Sequence, residues 1–177
     1  PICEGGTGAA PVEFSDHVGM PMREGLRLVH NTLVGVGKRD LVRIGVAGKI
    51  ISAFDIARAL ALGADWCNSA RGFMFALGCI QAMRCHQNTC PTGITTHNKR
   101  LQRGLVVEEK YLRVGNYCKN MNKEIDMIAH SCGCRHAREL RREHVRIVQT
   151  ADQSAALSIL HPYPAGTVAA AQPVAGQ

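Results

Sequence analysis

The sequence lacks any run of about 18 or more apolar residues, so nothing in it is expected to span a bilayer. It also lacks the basic-then-apolar order of a secretory leader, and it does not begin with methionine. No internal repeat is visible. Charge is nearly absent after Ala151, where Ala, Pro, Gly and Gln dominate, and residues 151–177 are expected to form a disordered tail. The rest is different in kind. Across 177 residues 46% are apolar, enough to bury a real core.

The first residues already stand inside a glycine-rich motif, Glu4-Gly5-Gly6-Thr7-Gly8-Ala9-Ala10-Pro11, which a strand should precede. The chain therefore reads as a fragment whose earlier strands, with any leader or membrane anchor, lie before Pro1. A cytoplasmic location is expected. The eight cysteines are even in number, but a chain with this much core does not need disulfide staples, so reduced thiols are expected, some of them metal ligands. The net charge of +7 is concentrated in residues 99–146, where twelve Lys/Arg face six Asp/Glu. Such a stretch could meet an anionic partner. Its acids are interleaved and no recognition motif accompanies it, so a solvated helical surface is the reading preferred and no nucleic acid is expected.

Between Glu24 and Gly37 the positions Leu26, Val29, Leu33 and Val34 recur at helical spacing before Gly35 and Gly37 end the pattern. Leu41 to Ala47 is short, apolar and branched, suiting a strand covered on both faces. Ser52 and Asp55 resemble a capping box ahead of a helix from Phe54 to Leu62, which Gly63 stops. Ala64 to Asn68 reads as a second buried strand, with another helix starting near Arg71. This βαβ order implies neighbouring parallel strands, and either a (β/α)8 barrel or a doubly wound sheet satisfies it. A long helix is expected from about Val107 to His130, with Val114, Cys118, Met121, Ile125 and Ile128 on its buried stripe. A further helix, rich in Arg and Glu, is expected from His136 to Gln149.

Three sites carry chemistry. Cys79, Cys85 and Cys90 fall within twelve residues in a C-x5-C-x4-C pattern closed by Pro91, near enough for one loop to wrap a small iron–sulfur cluster. Cys79, Cys85, Cys90 and His86 could instead form an irregular zinc site, or the thiols could be unligated. The loops Gly48-Lys49-Ile50-Ile51-Ser52 and Asn68-Ser69-Ala70-Arg71-Gly72 each follow a strand and lead to a helix N-terminus, where free amides and the helix dipole favour a phosphate. Barrels commonly hold phosphate on the loops after strands 7 and 8, and Arg71 could add a charged donor. An ordinary turn is the alternative at each loop. Gly5-Gly6-Thr7-Gly8 could approach a ring or an anion closely, or simply form a tight turn. Cys132-Gly-Cys134 lacks the two-residue spacer of a redox pair and reads as a linker.

The segments GGTGAAP, FSDHVGMP, GLRLVHNTLVGVGKRD, GKIISAFDIARALALGADWCNSARGFMFALGCIQAMRCHQNTCPTGITTH and LVVEEKYLRVGNYCKNM resemble the FMN-binding domain of glutamate synthase, in particular the shorter FMN-binding glutamate-synthase-family proteins. The likeness covers about residues 4 to 146. It implies the C-terminal part of a (β/α)8 TIM barrel over residues 1–100, a helical extension over 101–150 and the tail beyond. It implies FMN at the barrel mouth, with Gly48 and the segment from Ser69 to Arg71 on its phosphate, and a [3Fe-4S] cluster on Cys79, Cys85 and Cys90; the expected cofactor-binding residues are Gly48, Lys49, Ser52, Asn68, Ser69, Ala70 and Arg71. The implied reaction condenses ammonia with 2-oxoglutarate and reduces the imine with flavin hydride. Electrons would come from a partner subunit, NAD(P)H or ferredoxin through the cluster. Where the large synthase subunit has a loop like GGLKTG, this chain has GKIISA, with Lys49 two positions earlier, and no glutaminase segment is present. A two-strand remnant is expected not to close a barrel, nor to hold FMN tightly by itself. An electron-carrying module without flavin chemistry and a zinc-stabilised basic module are the competing readings.

Overall fold

The computed structural model describes residues 11–165; the opening glycine motif and residues 166–177 lie outside them. The chain is mixed α/β. Helices α1 (Val12–His17) and α2 (Met22–Gly35) lead through a 3-10 turn, Arg39–Leu41, to strand β1 (Gly45–Ala47). Helix α3 (Ala53–Leu62), strand β2 (Trp66–Asn68) and helix α4 (Ala70–Leu77) follow. After an irregular cysteine-bearing loop come α5 (Lys99–Gln102) and the long α6 (Val107–Ser131). The chain then forms two 3-10 turns, strands β3 (Arg146–Thr150) and β4 (Gln153–Ala156), and helix α7 (Leu157–Leu160). β1 and β2 pair with each other across α3, giving a βαβ unit, and β3 pairs antiparallel with β4.

Contacts divide the described residues into two compact units. One comprises residues 23–46, 53–67 and 124–165. Its core is built on α3, where Ala53, Ala57 and Leu60 repeat at steps of four and three and so share one face. They pack with Ile125 and Ala129 of α6 and with Cys134, Ala137 and Leu140. Removing a side chain as large as Leu60 from such a core costs about 2–5 kcal/mol. Arg39 is buried in this unit and donates to Asp65 at 2.7 Å, to the Gly63 carbonyl at 2.9 Å and to His30 Nδ1 at 3.1 Å. The other unit comprises residues 11–22, 47–52 and 68–123 and carries α1, both strand-end loops, α4, the cysteine loop, α5 and most of α6.

Several expectations need correction. Residues 136–149 do not form a helix: they make 3-10 turns at Ala137–Glu139 and Arg142–His144, then strand β3. Their Arg and Glu content favours a helix, but Arg142 is fully buried. It donates to Asn31 Oδ1 at 2.7 Å and to the His161 and Pro162 carbonyls at 2.6 and 3.0 Å, so distant partners fix the backbone. Residues 151–165 fold too: β4 completes a hairpin and α7 buries Leu157, so low charge there does not mean disorder. Cys118 is exposed, because the buried face of α6 runs through Met121, Ile125 and Ala129. Continuing that face back by four residues reaches Tyr117 and puts Cys118 about 100° to the side. Neither short strand is covered on both faces: in β1 only Val46 is buried, and Trp66 of β2 is 46% exposed.

Candidate functional site

The loops that follow β1 and β2 lie side by side. Ser69 Oγ donates to the Ile50 carbonyl at 2.6 Å, tying the second loop to the first. Ser69 stands at the N-cap of α4, yet its side chain makes no capping bond and its hydroxyl donates to the Ile50 carbonyl. The first turn of α4 thus keeps its amides clear of the usual side-chain cap. Gly48, Ser52, Ala70 and Arg71 are half-buried, and Asn68 and Lys49 are exposed. Lys49 has φ 49°, a left-handed conformation that makes the turn out of β1 sharp. The seven residues expected to bind the cofactor therefore come from two loops joined by a hydrogen bond. Small side chains and one arginine in this setting suit a phosphate on chemical grounds.

Sequence reasoning missed Tyr117. From α6 its hydroxyl donates to the Ile51 carbonyl at 2.6 Å and lies 3.1 Å from Ser69 Oγ, while its ring meets Phe73 edge-on at 5.0 Å. Gly72 makes room for it, since a Cβ there would overlap the Tyr117 hydroxyl. Helical spacing marks Tyr117 as a packing position at most, and nothing in the sequence signals its hydroxyl.

Cys79 follows the end of α4, and its sulfur accepts the Gln81 amide at 3.4 Å. Cys85 opens the 3-10 turn Cys85–Gln87, beside exposed His86. Gln81, Met83 and Asn88 all have positive φ, so the loop between the cysteines is irregular throughout. Cys90 is the buried thiol, 3.3 Å from Thr92 Oγ1. Burial alone would raise its pKa, but hydrogen bonds from the side chains and backbone of Thr92 and Thr95 outweigh burial and lower it to about 6. The Asn88 carbonyl accepts from Thr96 at 2.7 Å and its side chain accepts the His97 amide at 2.6 Å, pinning the Cys90 limb. A thiolate-ready cysteine fits a metal–sulfur group in donor type. The closed arrangement is missing: among the described residues no three His, Cys, Asp or Glu side chains are gathered so as to hold a metal ion. Cys79, Cys85 and Cys90 share a loop without forming a donor set, and the zinc set with His86 is equally unassembled. All seven described cysteines are unpaired.

This combination defines a βαβ segment with a small-residue cradle at its strand ends and a cysteine loop next along the chain. A model of the conserved region in glutamate synthase matches residues 3–135. The chain belongs to the glutamate synthase family. It is 44% identical over 142 residues to the glutamate synthase large subunit-like protein YerD of Bacillus subtilis, a match covering 80% of this chain and 27% of that protein. It is 35% identical over 144 residues to the archaeal glutamate synthase [NADPH] of Methanocaldococcus jannaschii, covering 81% and 28%. To the ferredoxin-dependent glutamate synthase 1 of Arabidopsis thaliana it is 38% identical over 99 residues, covering 56% and 6%. The chain thus spans about a quarter of the length of the first two. No helix of the described residues is long and apolar enough to cross a membrane.

Proposed function

We propose that this chain is the C-terminal part of the flavin barrel of a glutamate-synthase-type oxidoreductase. In this reading residues 1–100 supply the last barrel strands and the cysteine loop, and residues 101–150 supply a helical extension. The observation that carries it is the bond from Ser69 to the Ile50 carbonyl, which sets two consecutive strand-end loops next to each other. That is where a barrel of this class places a phosphate. The exposed edges of β1 and β2 are then surfaces for barrel elements supplied by other residues of the parent protein.

Gly48, Lys49, Ser52, Asn68, Ser69, Ala70 and Arg71 would hold the FMN phosphate, Arg71 supplying charge and the α4 amides supplying donors. Cys79, Cys85 and Cys90 would hold a [3Fe-4S] cluster, which would supply one-electron transfer. When bound, these groups supply electron entry and hydride for the reductive amination of 2-oxoglutarate or a related oxo-acid with ammonia. The electron source is a donor protein or an NAD(P)H-oxidising subunit, and the enzyme works in the cytoplasm.

The test is composition of the full-length protein. About one FMN and about three iron atoms with labile sulfide per chain are expected, with iron lost in Cys85→Ser. Zinc without iron or sulfide would remove the oxidoreductase reading, and iron without flavin would leave an electron carrier.

A further inference from the structure

We propose that Tyr117 is the positioning residue of the strand-end cradle, its hydroxyl holding the loop after β1 while its ring is seated on α4, which the loop after β2 opens. Its hydroxyl donates to Ile51 at 2.6 Å in the loop after β1 and lies 3.1 Å from Ser69 Oγ in the loop after β2. A hydroxyl has one hydrogen and two acceptor sites. The Tyr117 hydrogen goes to Ile51 and the Ser69 hydrogen to Ile50, so the 3.1 Å contact between the two hydroxyls carries no hydrogen and Tyr117 meets the second loop through its ring on α4. The consequence is local. Ser69 is held away from the capping position it occupies by sequence, and the loop carrying Gly48 and Lys49 is tied to the start of α4.

The ring is fixed independently of the hydroxyl. Phe73, one turn into α4, stacks edge-on against Tyr117 with the planes at 82°, and Gly72 leaves the space that the hydroxyl enters. Tyr117→Phe therefore removes the bond to Ile51 while the aromatic packing survives; it replaces none of the residues assigned to the phosphate, of which only Ser69 lies beside the lost hydroxyl.

The inference rests on the flavin-phosphate reading, and two measurements separate their failures. In the first, amide hydrogen exchange is compared between the unaltered chain and Tyr117→Phe. Faster exchange by about tenfold in residues 48–52 and 68–72, with the rest of α6 unchanged, is expected from loss of a hydrogen bond worth about 1–1.5 kcal/mol. Unchanged exchange in both loops would overturn the positioning role whatever the ligand is. In the second, the full-length protein is titrated with FMN and with riboflavin, which lacks the phosphate. The unaltered protein should prefer FMN, and Tyr117→Phe should reduce that preference about tenfold while leaving riboflavin affinity and the melting temperature nearly alone. Equal binding of the two flavins by the unaltered protein, or no binding of either, would defeat the phosphate reading. A preference fully retained by Tyr117→Phe would defeat the assignment of Tyr117.

Discussion

The imidazole of His30 occupies the space that a Cβ on Gly63 would fill. Gly63 ends α3 with φ +115°, a conformation that side chains rarely adopt, and its carbonyl accepts Arg39 at 2.9 Å. Gly63→Ala would have to displace a buried ring and strain the backbone together. A loss of about 3 kcal/mol is expected in urea unfolding. A loss under about 1 kcal/mol would mean that the ring has somewhere else to go.

His30 also sets an acid limit. Arg39 Nε donates to its Nδ1 at 3.1 Å, so Nδ1 is the acceptor and the neutral ring carries its hydrogen on Nε2. Burial, with Arg142 and Arg39 nearby, lowers its pKa from 6.5 to about 4. The unfolded chain therefore binds this proton first. The stability contributed by the neutral ring is complete above about pH 6.5 and is lost as pH falls toward about 4, by roughly 3 kcal/mol. Urea midpoints between pH 7 and 4 should fall more steeply for the unaltered chain than for His30→Asn. Parallel curves would show that His30 is not the sensor.

Arg142 shows how the C-terminal segment is held. Its guanidinium lies 4.1 Å from the centroid of the Tyr163 ring and donates to the His161 and Pro162 carbonyls and to Asn31 on α2. Lysine keeps the charge but not the planar fork. Arg142→Lys should cost about 3 kcal/mol and open residues 150–165 to proteinase K under native conditions. Equal cleavage rates in the two proteins would exclude this role.

The sequence made some of this legible. The 3.6-residue period revealed α2, α3 and α6 within two residues of their observed bounds, because each buries one continuous face that local spacing records. The adjacency of the two strand-end loops followed from βαβ order. What stayed hidden depends on distant partners. Arg142 reads as a surface helix residue until Asn31, 111 positions earlier, and His161 surround it. The Tyr117 hydroxyl acts 66 positions away at Ile51. Cys118 and Tyr117 are adjacent in sequence, and only packing decides which of them faces inward.

The ion pair of Arg39 and Asp65 offers the sharpest contrast between a buried and a surface charge. Asp65 accepts from Arg39 at 2.7 Å and from the Ile44 amide at 2.6 Å, and both side chains are nearly inaccessible. Arg43 reaches the same carboxylate at 3.5 Å with 46% of its side chain exposed. Asp65→Asn leaves a buried guanidinium with no counter-charge and should cost about 3–5 kcal/mol. Arg43→Gln removes only a solvated partner and should cost about 1 kcal/mol or less, fading further in high salt. Denaturant unfolding of both variants at low and high salt separates the two. If the costs came out alike, desolvation at Asp65 would not be what fixes the turn into β1.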